Sequence, residues 1–442
     1  MIRAVISEAL RSIPRPRFTL AALFIILLVA AACGGAGGDG EQSGAGTAAP
    51  GTRQPPVEDR RTTAPSGTPA AGESRDVEAN NPGNSTAQEP TQAPAPAESR
   101  SVGGEVDDQA PEFLAVANWI NSEPLSMDEL RGKVVLIDFW TYTCVNCIRT
   151  FPFLKEWHAK YADKGLVIVG VHSPEFEFEK LTENVVRSVR SYKLAWPIAQ
   201  DNDFGTWRAY DNRFWPAKYL VDQEGTVRYT HFGEGANGET EEQIRLLLAE
   251  ADADLSGVDT GTAPEPRADA RASTSDPTTR ITREIYGGFE RNSSPRGVYV
   301  AHAEYYEGSD RSVFYDDPGD HQNQFIYLQG LWVNGLEKLR HARETQDLDD
   351  YIALRFFATS VNAVIDPEGG GPFEVEVAID GRPLLPQEAG ADLVVRDGRS
   401  FFRVDEGRMY EVVALPQFGG HELKLSSNSP DFAFFAFTFG AY

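Results

Sequence analysis

Val134-Val-Leu-Ile-Asp-Phe-Trp-Thr-Tyr-Thr-Cys-Val-Asn-Cys-Ile-Arg-Thr-Phe-Pro152 decides the reading of this 442-residue chain, because it holds two of its three cysteines, Cys144 and Cys147, in a Cys-x-x-Cys. The apolar run Val134 to Trp140 predicts a buried strand, and the residues from Cys144 to about Ala162 predict a helix. The cysteines therefore fall where a strand hands over to a helix. Backbone N–H groups at a helix start, together with the positive end of the helix dipole, favour a thiolate at Cys144. A thiolate there can attack a disulfide, and Cys147 can then resolve the mixed disulfide, leaving an intramolecular Cys144–Cys147 bond as the redox group with no further cofactor. A structural zinc site would need two more ligands at short spacing. There is no second Cys-x-x-Cys, and His158 is expected to face solvent, so no metal is expected.

Outward from this stretch, the pattern alternates. Leu166 to His172 predicts a strand, Phe178 to Tyr192 a helix, Trp196 to Ala199 a strand and Phe204 to Tyr210 a helix. Tyr219 to Val221 and Thr226 to His231 predict a hairpin around Gln223-Glu-Gly225, and Glu239 to Glu250 a closing helix. The order predicts a sheet with helices on both faces.

The residues around the cysteines resemble the thioredoxin superfamily. Asp138-Phe-Trp140 stands ahead of the pair, Pro152 follows Cys147 by five residues, and Phe214-Trp-Pro-Ala-Lys-Tyr-Leu-Val-Asp222 resembles the strand that these proteins enter through a cis-proline, which implies a cis bond at Trp215-Pro216. Phe139 to Cys147, Val171-His-Ser-Pro-Glu175, Phe214-Trp-Pro-Ala217 and His231-Phe-Gly-Glu-Gly235 are more narrowly similar to the soluble C-terminal half of DipZ-type proteins, relatives of TlpA and ResA. Phe176 to Gln200 resembles the insertion of TlpA-like proteins.

The resemblance implies roles. Asp138 would sit beneath the cysteines and relay the proton that Cys147 must lose, and its burial would raise its pKa. Pro216 would present the backbone of Trp215 to an extended substrate. Trp140 and Trp215 would pack and shield the site first and select substrate second, while Val145 and Asn146 between the cysteines tune the potential and touch substrate. TlpA-like relatives are often reductants, which implies a reductase more than an oxidase, supplied by a CcdA-like membrane electron donor because the chain lacks the transmembrane relay half of DipZ-type proteins.

The chain's start bears on where this happens. Arg3, Arg11, Arg15 and Arg17 precede the apolar run Phe18 to Ala32, which is short for a membrane span and ends in small residues like a secretory signal. Val29-Ala-Ala-Ala-Cys33-Gly-Gly resembles a bacterial lipoprotein box, which implies cleavage before Cys33 and its lipidation, anchoring the chain to the bacterial cell membrane. A plain signal cut near Ala32 and an uncleaved anchor are the alternatives. All three predict an extracytoplasmic protein and exported, disulfide-bearing partners. Residues 1–33 are thus expected as signal and 34–106 as a disordered tether. From Gly34 to Gln109 there is no aromatic residue, Leu, Ile or Met, and some 75 such residues span about 50 Å. The net charge of −25 argues against nucleic acid or an anionic membrane surface as partner.

A second linker, 251–279, separates the thioredoxin-like α/β domain, 107–250, from an all-β block, 280–442. Alternating runs at 297–302, 324–328, 351–357, 373–379, 408–413, 421–425 and 432–437, set apart by Gly, Pro, Asp and Asn, predict a β-sandwich or jelly roll. In DipZ-type proteins the equivalent domain resembles a carbohydrate-binding module. That implies a glycan partner, with Tyr305, Tyr306 and Trp332 as stacking residues. The competing expectation is a rigid partner domain that shapes the redox face, with those aromatics in its core. Two other activities remain open. The Thr141-Tyr-Thr-Cys144 spacing resembles a thiol peroxidase site, although Ile137 stands where that motif needs proline. Alternatively, the chain is a surface glycan-binding protein whose redox pair is accessory.

Overall fold

The computed structural model describes residues 104–261, 274–276, 279–292 and 298–441. The expected signal with Cys33, nearly all of the expected tether and about half of the expected second linker lie outside the described residues. No described helix is long and apolar enough to cross a membrane.

The first sheet is built from β1 (Asn118–Ile120), β2 (Val134–Trp140), β3 (Leu166–His172), β4 (Ile198–Gln200), β5 (Ala217–Val221) and β6 (Val227–Phe232). With them come α1 (Val145–Tyr161), α2 (Thr182–Ser191), α3 (Gly205–Ala209) and α4 (Asn237–Glu250). The strands lie in the order β1-β4-β3-β2-β5-β6. β2 runs parallel to β3 and antiparallel to β5, and every one of its residues is buried, as its unbroken apolar run requires of a central strand. Alternation sends Val135, Ile137 and Phe139 into one core, and Val134, Leu136 and Trp140 into another shared with Cys147, Phe151, Leu154 and Trp157 of α1. Asp138 lies on this second face, towards the cysteines. Gly170 of β3 makes the packing possible. A Cβ there would stand 2.7 Å from Ile198 Cδ1 and 2.9 Å from Trp140 Nε1.

Three expectations need correction. The helix expected from Phe178 is interrupted: a 3-10 turn spans Glu177–Lys180, Leu181 is extended, and α2 starts at Thr182. β1 is an unforeseen three-residue edge strand paired with β4. His158 does not face solvent freely; it is half-buried with its ring 5.9 Å from that of Trp196, and burial lowers its pKa.

The second part is all-β. Its strands are β7 (Ile285–Tyr286), β8 (Ser312–Tyr315), β9 (Ile326–Asn334), β10 (Leu339–His341), β11 (Tyr351–Asp366) and β12 (Phe373–Ile379). They continue as β13 (Arg382–Pro383), β14 (Val394–Arg396), β15 (Arg399–Val404), β16 (Arg408–Ser426) and β17 (Ala433–Gly440), and the pairings between named strands are all antiparallel. The 16-residue β11 pairs with β9 through its first half and with β17 through its second, and bulges near Ala358 bend it. One hydrogen-bonded network thereby folds over a core that includes Ile352, Leu354, Phe356, Val377, Leu423 and Phe437. Tyr305 and Trp332 belong to that core and are fully buried, while Tyr306 is half-buried and donates to Val300 O at 2.9 Å. Tyr305 and Trp332 are therefore not available as stacking platforms for sugar.

The two parts share a hydrophobic core. Tyr286, Val364, Met409, Phe435 and Ala436 cluster with Trp140, Tyr142, Cys147, Phe176 and Phe178. The Phe435 ring meets those of Phe176 at 5.0 Å and Phe178 at 4.9 Å, both edge-on. Full burial of one such ring contributes about 1.5–3 kcal/mol. Polar links frame the contact: Tyr142 donates its hydroxyl to Gly407 O, Glu177 N–H donates to Glu337 Oε2 at 3.1 Å, and Arg187 pairs with Glu406.

Candidate functional site

β2 ends at Trp140, the chain turns through the buried Thr141-Tyr142-Thr143, and Cys144 is the N-cap of α1 in an extended conformation. Its sulfur accepts a hydrogen bond from Cys147 N at 3.2 Å, the contact that a serine or aspartate cap would make with an orphan N–H of the first turn. Both cysteines are free thiols, with the sulfurs 2.6 Å apart; Cys144 is partly exposed and Cys147 fully buried. The pair is asymmetric. Burial pushes the Cys147 thiol well above its ordinary value, and the hydrogen bond to Cys144 adds to this. An accessible first sulfur and a buried second one that must lose a proton are what sequential attack and resolution require.

Asp138 is 1% exposed on the β2 face towards Cys147. Burial pushes its carboxyl up to about 6, and the Lys218 ammonium works in the opposite direction. Lys218 is its direct cross-strand partner on β5, likewise buried, with Nζ 3.6 Å from Asp138 Oδ1. Neither atom has a hydrogen-bond partner among the described residues. A carboxyl poised near 6 can hold or release a proton at neutral pH.

The Trp215–Pro216 peptide is cis. Pro216 is buried and Trp215 half-buried, its indole N–H donating to Ser173 O at 3.0 Å. Trp215, Val145 and Asn146 line a cavity of about 210 Å³ that Cys144 also lines. Trp140 does not line it. It is 1% exposed, with its ring against Phe151 and His172 at 5.4 and 5.0 Å, so it packs within the core behind the site.

Sequence reasoning missed three groups. Lys218 stands in an apolar run, and only the β2–β5 register puts it opposite Asp138. Glu179 is fully buried, accepts from Thr143 Oγ1 at 2.6 Å and from Phe176 N at 3.1 Å, and burial raises its pKa to about 7. Its place in a charged run, Glu175 to Lys180, masked it. His172, held neutral by a burial-lowered pKa of about 3, stacks on Tyr142 at 5.6 Å.

Comparison with known proteins agrees with this geometry. The AhpC/TSA family matches residues 106–230, and the family described as "Thioredoxin like C-terminal domain" matches residues 282–440. "Protein DipZ" of Mycobacterium tuberculosis is 38% identical over 280 residues, 62% of this chain; the match spans only 37% of DipZ. "Thiol-disulfide oxidoreductase YkuV" of Bacillus subtilis is 30% identical over 144 residues, covering 32% of this chain and 95% of YkuV. "Thioredoxin-like protein YneN" of the same organism is 30% identical over 148 residues, 33% of this chain and 83% of YneN. A Cys-x-x-Cys cap on α1, a buried acid beneath it and near-full-length coverage of YkuV lead to one conclusion: the chain belongs to the thioredoxin-like thiol-disulfide oxidoreductases.

Proposed function

We propose that the chain is an extracytoplasmic, membrane-anchored enzyme that exchanges its Cys144–Cys147 disulfide with exported proteins, acting as a reductase. The observation that carries the reading is the asymmetric pair: Cys144 at the mouth of a cavity, and Cys147 buried above Asp138 with its thiol pKa raised. Cys144 attacks the partner disulfide, the partner's leaving sulfur departs, and Cys147, passing its proton towards Asp138, displaces the second sulfur. Trp215, which lines the cavity with Cys144, and Pro216 next to it in the chain receive the partner backbone, and Val145 and Asn146 meet its flanks. The N-terminal sequence supports export and lipidation at Cys33. Electrons then come from a CcdA-like membrane donor.

A Cys147→Ser variant tests the exchange: it accumulates mixed disulfides through Cys144 that mass spectrometry identifies, and Cys144→Ser removes them. Direction is read from the equilibrium reduction potential of the pair. A value near about −270 mV supports a donor, and one towards about −120 mV an oxidant.

A further inference from the structure

The cavity at Cys144 has a wall from each part of the molecule. Val145, Asn146, Glu175 and Trp215 come from the first; Glu284, Tyr286, Arg291 and residues of β17 come from the second. The placement of Glu284 follows from alternation. Ile285 of β7 is buried in the sandwich core and pairs with Phe437, so its neighbours Glu284 and Tyr286 point the other way, towards the cysteines. Glu175 is already engaged, accepting from Arg291 and from the Tyr286 hydroxyl, each at 3.0 Å. The Arg291 guanidinium lies over the Tyr286 ring at 4.6 Å. Glu284 is an exposed residue that lines the same cavity, within hydrogen-bonding reach of the Tyr286 hydroxyl, on the side where a substrate would approach.

We infer that Glu284 is a catalytic acid–base group supplied to the Cys144 reaction by the second domain, giving a proton to the sulfur that leaves the partner disulfide. The inference rests on the proposed exchange through Cys144. In the first step the Cys144 thiolate attacks one partner sulfur, the Cys144–partner bond forms and the partner S–S bond breaks. The departing thiolate takes the Glu284 proton, and the carboxylate recovers one from water. In the reverse direction the Glu284 carboxylate takes the proton of an attacking partner thiol. Asp138 cannot serve this sulfur, because it is 1% exposed and does not line the cavity. The electrostatics are suitable. Withdrawal of the carboxyl from water among the cavity walls raises the Glu284 pKa, the Glu175 charge raises it further, and the Tyr286 hydrogen bond and the Arg291 charge oppose the rise, so a protonated fraction persists towards neutral pH.

The test compares leaving groups in the full chain, reduced beforehand, with Glu284→Gln against wild type. Glutathione disulfide releases an alkyl thiol whose pKa, about 8.5, makes proton donation useful; 5,5′-dithiobis(2-nitrobenzoate) releases an aryl thiolate that needs no proton. The expected result is a fall of about tenfold or more with glutathione disulfide and little change with the aryl disulfide. The wild-type advantage should shrink as pH rises and Glu284 loses its proton, and Glu284→Asp should restore part of it. Equal effects on both disulfides, or none, overturn the inference while leaving the exchange reading intact. A wild-type chain that reduces neither disulfide overturns both. A urea-unfolding midpoint and a near-ultraviolet circular dichroism spectrum that match wild type establish that the variant is folded.

Discussion

Replacing Asp138 with asparagine tests the central electrostatic argument through stability. The carboxyl titrates at about 6 in the folded chain against an ordinary value of 3.8, so the folded chain holds its proton more tightly than the unfolded chain does. Between those values the native state binds more protons, and stability falls as pH rises; the loss is complete above about pH 7 and absent below about pH 3. The difference between those two values corresponds to about 3 kcal/mol. The amide of the variant does not titrate, so the variant lacks this slope. The substitution also leaves the buried Lys218 without its carboxylate partner, so the comparison is drawn between the slopes of the two curves and not between their absolute heights. The measurement is urea unfolding of the reduced full chain at pH 4, 5, 6 and 7, for wild type and Asp138→Asn. The stability difference should move by about 2–2.5 kcal/mol in favour of the variant between pH 4 and 7, most of the full effect. Parallel curves would refute the burial argument and, with it, a proton store beneath Cys147.

Lys218→Met removes the positive charge that opposes the burial of Asp138, so the carboxyl should titrate above 6. Single-turnover resolution of a Cys144 mixed disulfide, followed by quenched flow against pH, should show its acid limb displaced upward and a slower step at pH 7. Phe435→Ala empties the contact with Phe176 and Phe178 at a cost of about 3–5 kcal/mol. Limited proteolysis should then cut the segment between α4 and β7 faster than in wild type and release two fragments.

The fold was legible wherever the sequence carried an unbroken period. The bounds of β2 and β3 could be read directly because central strands bury both faces. β16 read as two strands, since Pro416, Gly419 and Gly420 interrupt the apolar pattern where the long strand bends. Of the site, Cys144, Cys147, Asp138 and Pro216 were visible through spacing and resemblance. Lys218 and Glu284 were not. Lys218 meets Asp138 only through a sheet register, and Glu284 reaches the cysteines only through a contact between segments far apart in the chain. Trp140, Tyr305 and Trp332 show a different limit. Their composition fits a surface platform and a core equally, and only neighbours decide.

The loop before Cys144 is roofed by the second domain. Tyr142 is 2% exposed beneath Gly407, and Phe176 and Phe178 are covered by Phe435. A fragment ending at Glu250 would carry these three rings into water close to its nucleophile. Such a piece would be sticky at its own working surface, so the pair of domains, not the cysteine-bearing half alone, is the smallest unit that inheritance or engineering can move between proteins without also rebuilding that surface.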